Sequence, residues 1–254
     1  MISRGKLTDR LPAPLSLRLR SARSVRRLFG MHAPTDLILG LVPRGRNAVD
    51  VGANRGVYTC WMAKRAVAVD AFEPQPALAD YIRRAHLRNV RVFETALSDH
   101  EGSARFLVPA DDGQARLASV DRDAAMLPIA ERDLEVKEEL GVQMRTLDSF
   151  RLQDVGFLKI DVEGHELAVL RGAAETIARC RPVIFVESEA RHAVGAPGNV
   201  VELIMGRHRY RRAAFVRRWS TVDIGSFDLE RDQLQILPDY FNPDYVGNFV
   251  FWPS

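Results

Sequence analysis

The run Val49-Asp50-Val51-Gly52-Ala53-Asn54-Arg55-Gly56-Val57-Tyr58-Thr59 constrains this chain more than any other, because an apolar strand enters a glycine turn and leaves it as a helix. Glycine is required where the backbone must take a positive φ or let another group come close. Gly52 stands at the strand end and Gly56 at the helix start. Asn54, between them, is the residue that best tolerates a left-handed conformation after glycine. In an α/β protein such a turn is where a nucleotide binds.

The spacing separates two kinds of nucleotide site. A dinucleotide site reads G-x-G-x-x-G around a pyrophosphate, whereas this turn reads D-x-G-x-N-x-G, with an acid two residues ahead of the first glycine. A carboxylate there repels a pyrophosphate and suits a ligand that carries an ammonium, as the methionine end of S-adenosylmethionine does. Phe72-Glu73-Pro74 closes the next apolar run. Glu73 lies about 20 residues past the turn, where a carboxylate ending the second strand accepts hydrogen bonds from ribose hydroxyls. Taken alone it would be a solvated loop acid. In this order, Asp50, Gly52, Asn54, Gly56 and Glu73 are the expected cofactor-binding residues.

The pattern around the turn predicts an α/β chain: strand 47–51, helix 55–64, strand 66–72, helix 76–87 and strand 90–97, then strand 155–161, helix 164–178, a strand from Pro182 to Glu187 and helix 199–206. Such alternation implies a mostly parallel, Rossmann-like sheet with helices on both faces. Tyr210 to Arg217 and Gly247 to Trp252 read as two closing antiparallel strands. The alternation breaks over 102–148, where Ser103 to Pro109 looks like an added strand and 110–140 is polar, acidic and irregular. Insertions of this length typically cover a site or are disordered. The division expected is an extension over 1–46 and one domain over 47–254.

The 254 residues, 46% of them hydrophobic, suffice for one such domain. Cys60 and Cys180 lie far apart inside expected elements, which predicts buried free thiols and a reducing, cytoplasmic setting. No apolar run approaches the ~20 residues of a membrane span. The net charge of +3 hides an asymmetry: residues 1–35 hold eight basic residues against Asp9 alone, an excess of seven that leaves the rest at −4. A nucleic-acid protein spreads its basic footprint over the folded domain and interleaves aromatics, so nucleic acid is not the expected partner. Residues 15–29 instead read as a basic amphipathic helix, with Leu15, Leu19, Val25 and Phe29 in one stripe among arginines. That composition suits either packing on the domain or peripheral contact with an anionic inner membrane surface.

The second chemical segment is Phe157-Leu158-Lys159-Ile160-Asp161-Val162-Glu163-Gly164-His165-Glu166, which runs off the carboxyl end of a central strand, where open α/β sheets bind ligands. Alternation puts Lys159 and Asp161 on one face. A lysine in a buried strand needs a partner, and Asp161 is the expected one; Asp161 as a helix cap is the competing reading.

In order, Asp50-Val-Gly-Ala-Asn-x-Gly56, Phe72-Glu73-Pro74, Ala96-Leu97-Ser98-Asp99, Thr146-Leu147-Asp148, Lys159-Ile-Asp-Val-Glu-Gly164 and Val186-Glu187 resemble the FkbM family of S-adenosylmethionine-dependent methyltransferases, over roughly residues 47–190 with an echo in Asn248-Phe249-Val250-Phe251. The resemblance implies a class I methyltransferase sheet, S-adenosylmethionine as cofactor and O-methylation of a sugar, glycolipid or polyketide-type hydroxyl. Asp161 is then the first candidate to take the acceptor's proton or orient it, with Glu187 and His165 or His192 as alternatives and Lys159 as the partner of Asp161. Ser98 and Asp99 fall where an adenine ring would lie. Asp161, Glu163, Glu187 and His192 are hard donors that a divalent metal would accept, but nothing in their spacing demands one, and no metal is assigned. A scaffold that has lost catalysis is the competing class, disfavoured because Asp50, Glu73 and Asp161 are intact. An NAD-dependent oxidoreductase is disfavoured by the missing G-x-G-x-x-G.

Overall fold

Helix α1 (Thr35–Leu41) leads into strand β1 (Asn47–Val51), and α2 (Val57–Met62), β2 (Val69–Phe72), α3 (Pro76–Arg83) and β3 (Val90–Phe93) follow in alternation. Strands β4 (Ala96–Leu97), β5 (Gly102–Pro109), β6 (Ser119–Val120) and β7 (Val136–Arg145) interrupt it. It resumes with β8 (Val155–Ile160), α4 (Glu166–Arg171), α5 (Ala174–Cys180), β9 (Val183–Glu187) and α6 (Gly198–Glu202), before β10 (Arg212–Arg217), β11 (Ser220–Asp223) and β12 (Asn248–Trp252). The computed structural model describes residues 35–109, 119–120, 136–218, 220–237 and 242–254. The helix expected over 15–29 lies outside them.

Eight strands form one sheet in the order β11-β10-β12-β9-β8-β1-β2-β3. Strands β9, β8, β1, β2 and β3 are mutually parallel, while β12 runs antiparallel between β9 and β10 and β11 forms an antiparallel edge. From β1 the chain winds outward to β3, then returns to β8 and winds the other way. The switch point therefore falls between β1 and β8, and the crevice above their carboxyl ends is the ligand site of such sheets.

Both faces of the sheet are covered, which is why its central strands are apolar almost throughout. Val49, Val51, Leu158, Ile160, Ile184 and Val186 face Val169, Leu170 and Ile177 of α4 and α5. Ala48, Phe157, Phe185 and Val250 face the other way, onto Ile38, Leu41, Val42 and Met62. Ile38, Leu41 and Val42, which lie within the expected extension, pack in this core. Cys60 and Cys180 are buried free thiols, as expected. Among the described residues no helix is long and apolar enough to cross a membrane.

Four expectations about elements are corrected. The strand expected over 90–97 is two strands: β3 closes the large sheet, while β4 pairs with β7 in a second sheet of order β4-β7-β5-β6. Apolar alternation runs on through the bend and so carries no mark of the change of sheet. Val136 to Leu140, expected to be irregular, begin β7; Leu140, Val142 and Met144 alternate toward Ala96 and Phe106, but Lys137, Glu138 and Glu139 mask the pattern. The helix expected over 164–178 is α4 and α5, broken at Gly172, where a Cβ would stand 1.9 Å from the Ser98 carbonyl oxygen. Asp148 restarts the chain there, its carboxylate accepting from the backbone N–H groups of Glu175 and Thr176 at 2.9 and 2.8 Å. Finally, β11 adds an edge strand that the sequence reading lacked.

Candidate active site

The glycine turn leaves β1 with φ of 74° at Gly52, 49° at Asn54 and 71° at Gly56. These left-handed values are why glycine and asparagine stand there. A second reason applies at Gly52: a Cβ would lie 1.8 Å from the backbone oxygen of Asp161. The neighbour that demands a glycine is thus the end of β8, where the sequence suggests a ligand.

Asp50, expected to bind the cofactor, also faces the end of β8. It is fully buried; its Oδ2 accepts from Thr59 Oγ1 at 2.6 Å, and its Oδ1 lies 3.1 Å from Lys159 Nζ. The cation beside Asp50 within the chain is thus Lys159. Lys159 Nζ also stands 3.2 Å from Asp161 Oδ2, donates to the Gly52 carbonyl at 2.8 Å and sits 5.1 Å from the Tyr58 ring centre. Burial pushes the ammonium toward neutrality, but Asp161 and Asp50 outweigh it and hold its pKa above the ordinary lysine value. Lys159 is therefore a fixed positive charge. The expected Lys159–Asp161 pair is present and is shared with Asp50, and Asp161 caps no helix, since α4 begins at Glu166 behind His165.

Glu73 ends β2 with 3% of its surface exposed. Its Oε2 accepts the Asn54 backbone N–H at 2.7 Å and its Oε1 that of Gln75 at 2.9 Å. Burial raises its pKa to about 7 against the pull of those two donors. A carboxylate accepts about four hydrogen bonds, so each oxygen retains capacity for a further donor. A ribose diol supplies two, and the turn that binds Glu73 is the one read as the cofactor turn. The residues present fit the cofactor expected of them.

Across the crevice, the register Ile160↔Val186 and Glu187↔Asn248 places Asp161, Glu187 and Asn248 in one row over β8, β9 and β12, on the face that carries Lys159. Asp161 keeps 23% of its side chain exposed. Glu187 accepts no hydrogen bond among the described residues. Its pKa is pushed well above the ordinary carboxylate value by burial first and then by Asp161, Glu189 and Glu163, with Arg191 opposing. Asn248 is 6% exposed and its Oδ1 is unpaired. Beside the row, His192 Nε2 lies 2.7 Å from Glu163 and 3.2 Å from Glu189, which also pairs with Arg191. Gln233 fixes this wall by donating to the Ser188 and Val246 carbonyls and accepting from the Ala190 N–H.

His165 has its Nε2 3.0 Å from Ser98 Oγ. Ser98 is fully buried, with Asp99 at 3.3 Å, and Asp99 is paired with His100 at 2.8 Å, a contact that lowers its pKa. Ser98, Asp99 and His165 thus form a second polar group under α4. No group of three His, Cys, Asp or Glu side chains among the described residues is placed to hold a metal ion. The sequence reading missed Asn248, Thr59 and Glu189. The signal for Asn248 was available: it is the only polar residue of the five in Asn-Phe-Val-Phe-Trp.

A sequence model described as the Methyltransferase FkbM domain matches residues 50–213. "Methyltransferase 1" of Beauveria bassiana (strain ARSEF 2860) is 32% identical over 142 residues, 49% of this chain and 57% of that protein. The crystal structure of Methyltransferase FkbM from Methylobacillus flagellatus KT superposes with a TM-score of 0.52 at 13% identity, over 98% of this chain and 57% of that one. The chain thus spans little more than half the length of either relative, and the second likeness speaks to fold alone.

Proposed function

The chain belongs to the FkbM methyltransferase family, with S-adenosylmethionine as its cofactor, and on that premise we propose that it methylates a hydroxyl of a sugar, glycolipid or polyketide-type acceptor. The observation that carries the O-methyl reading is the row Asp161–Glu187–Asn248, in which Glu187 has no hydrogen-bonding partner among the described residues. When bound, the cofactor supplies a methyl carbon activated by its sulfonium. An alcohol is a weak nucleophile, so a base that takes its proton as the new bond forms contributes about 10²–10⁴-fold. Asp161 is tied to Lys159, so its part is to accept a hydrogen bond from the acceptor and orient it. Glu187, whose pKa burial and the neighbouring acids raise, takes the proton once ionised. Holding the acceptor oxygen within about 3–3.5 Å of the methyl carbon supplies ~7–11 kcal/mol through positioning.

The test is direct. Purified chain, S-adenosylmethionine and a glycan and glycolipid fraction from cells lacking this protein should yield a product one methyl group heavier, with the methyl on oxygen by fragmentation. Transfer to nitrogen or carbon would overturn the O-methyl reading.

Glu73 gives the cofactor pocket its own pH signature. An acid whose folded pKa is raised to about 7 contributes stability that is fully present below its unfolded value and lost as pH rises through 7. Ribose hydroxyls donate to the ionised form, so stabilisation by S-adenosylhomocysteine is expected to grow between about pH 6 and pH 8. Thermal unfolding with and without that ligand measures it. The same growth in Glu73→Gln would remove the assignment.

A further inference from the structure

The sheet is electrically polar, and only its acidic rim is used by the proposed chemistry. Strands β1, β2, β3, β8 and β9 begin at the opposite rim, and so does β10, since both it and β9 run antiparallel to β12. The six connections that feed these strands there are residues 42–46, 63–68, 84–89, 151–154, 181–182 and 208–211. Together they contain ten Lys or Arg residues and one acid, Asp154. Among the described residues only Arg46 of the ten faces a carboxylate, that of Asp154 at 2.8 Å. Arg207 adds another exposed guanidinium one residue before the last connection. The field is felt inside the protein as well: after burial, Arg207 and Arg181 are the main causes that lower the pKa of His208.

We infer that this amino-terminal rim is a docking face for an anionic lipid surface. The basic residues are spread over connections from β3 to β10, six strand spacings or about 29 Å, which makes a broad face and not a groove that would follow one nucleic-acid backbone. Apolar and amphipathic side chains stand among them as they do at a membrane interface. Val67 is 60% exposed in the connection to β2, and Trp252 ends β12 beneath the Arg212 guanidinium, 4.2 Å from its ring. Guanidinium groups suit lipid phosphates because their planar donors bind phosphate oxygens in pairs. Docked this way, the crevice faces the aqueous side, about 20 Å from the lipid headgroups, the length of six-residue β8.

The experiment uses the full chain with phosphatidylcholine vesicles, with and without phosphatidylglycerol. Co-sedimentation is expected only with the anionic vesicles at low salt and is expected to vanish at high salt. The triple variant Arg44→Gln, Arg207→Gln, Arg211→Gln, at three exposed positions remote from the crevice, should bind on the order of 100-fold more weakly. Its stabilisation by S-adenosylhomocysteine should be unchanged, which reports an intact fold. Absence of binding by the parent chain, or equal binding by the variant, would overturn the inference; the latter would assign any binding to residues 1–34. Tighter binding to duplex DNA than to the vesicles at the same salt would overturn it in favour of a nucleic-acid face.

Discussion

Lys159→Met is expected to lower the free energy of unfolding by about 3–5 kcal/mol, because it leaves the fully buried Asp50 carboxylate without its cation. That is a large part of the 5–15 kcal/mol typical of a domain. The cost belongs to the unpaired charge and not to the lost pair, so Asp50→Asn added to Lys159→Met should recover more than half of it. Asp161→Asn should cost far less, since Lys159 keeps Asp50 at 3.1 Å and Asp161 is partly open to water. Urea unfolding of the four proteins decides the matter. A loss below about 1 kcal/mol in Lys159→Met would mean that the ammonium is dispensable to the fold.

Glu187→Gln is expected to reduce kcat by about 10²–10⁴-fold while cofactor affinity and Tm stay level or rise. The substitution removes the proton acceptor and also relieves repulsion from Asp161, Glu189 and Glu163. In the parent chain kcat/KM should climb with pH through a value well above the ordinary carboxylate range, because the base works only when ionised. The Gln variant should lose that limb. Turnover within a factor of about three of the parent would pass the role to Asp161.

Local signals made much of this legible in the sequence. A strand, a positive-φ turn and a helix start are written in consecutive residues, so Gly52, Asn54, Gly56 and Glu73 were found from spacing. Short apolar runs likewise located β1, β8 and β9. What escaped depends on residues far apart along the chain. Asp50 is chosen by a lysine more than a hundred positions away, and nothing near it distinguishes a buried cation from a bound one. The split between β3 and β4 is decided by pairing with β7. The alignment of Glu187 with Asn248 needs the antiparallel register of β12, which no local pattern carries. His165, a reasonable base by its neighbours, is turned to Ser98 by contacts that only the folded chain supplies.

The contact between Gly52 and the Asp161 carbonyl has a mechanical meaning. Switch-point crevices invite a hinge between the two halves of the sheet, but here the first turn of one half is seated against the last residue of the other with no room for a single carbon atom. The turn after β1 and Asp161 after β8 are packed directly on one another, so the spacing between them is set by the fold of the chain. The neighbouring wall is held separately, by the three hydrogen bonds that Gln233 makes with Ser188, Ala190 and Val246.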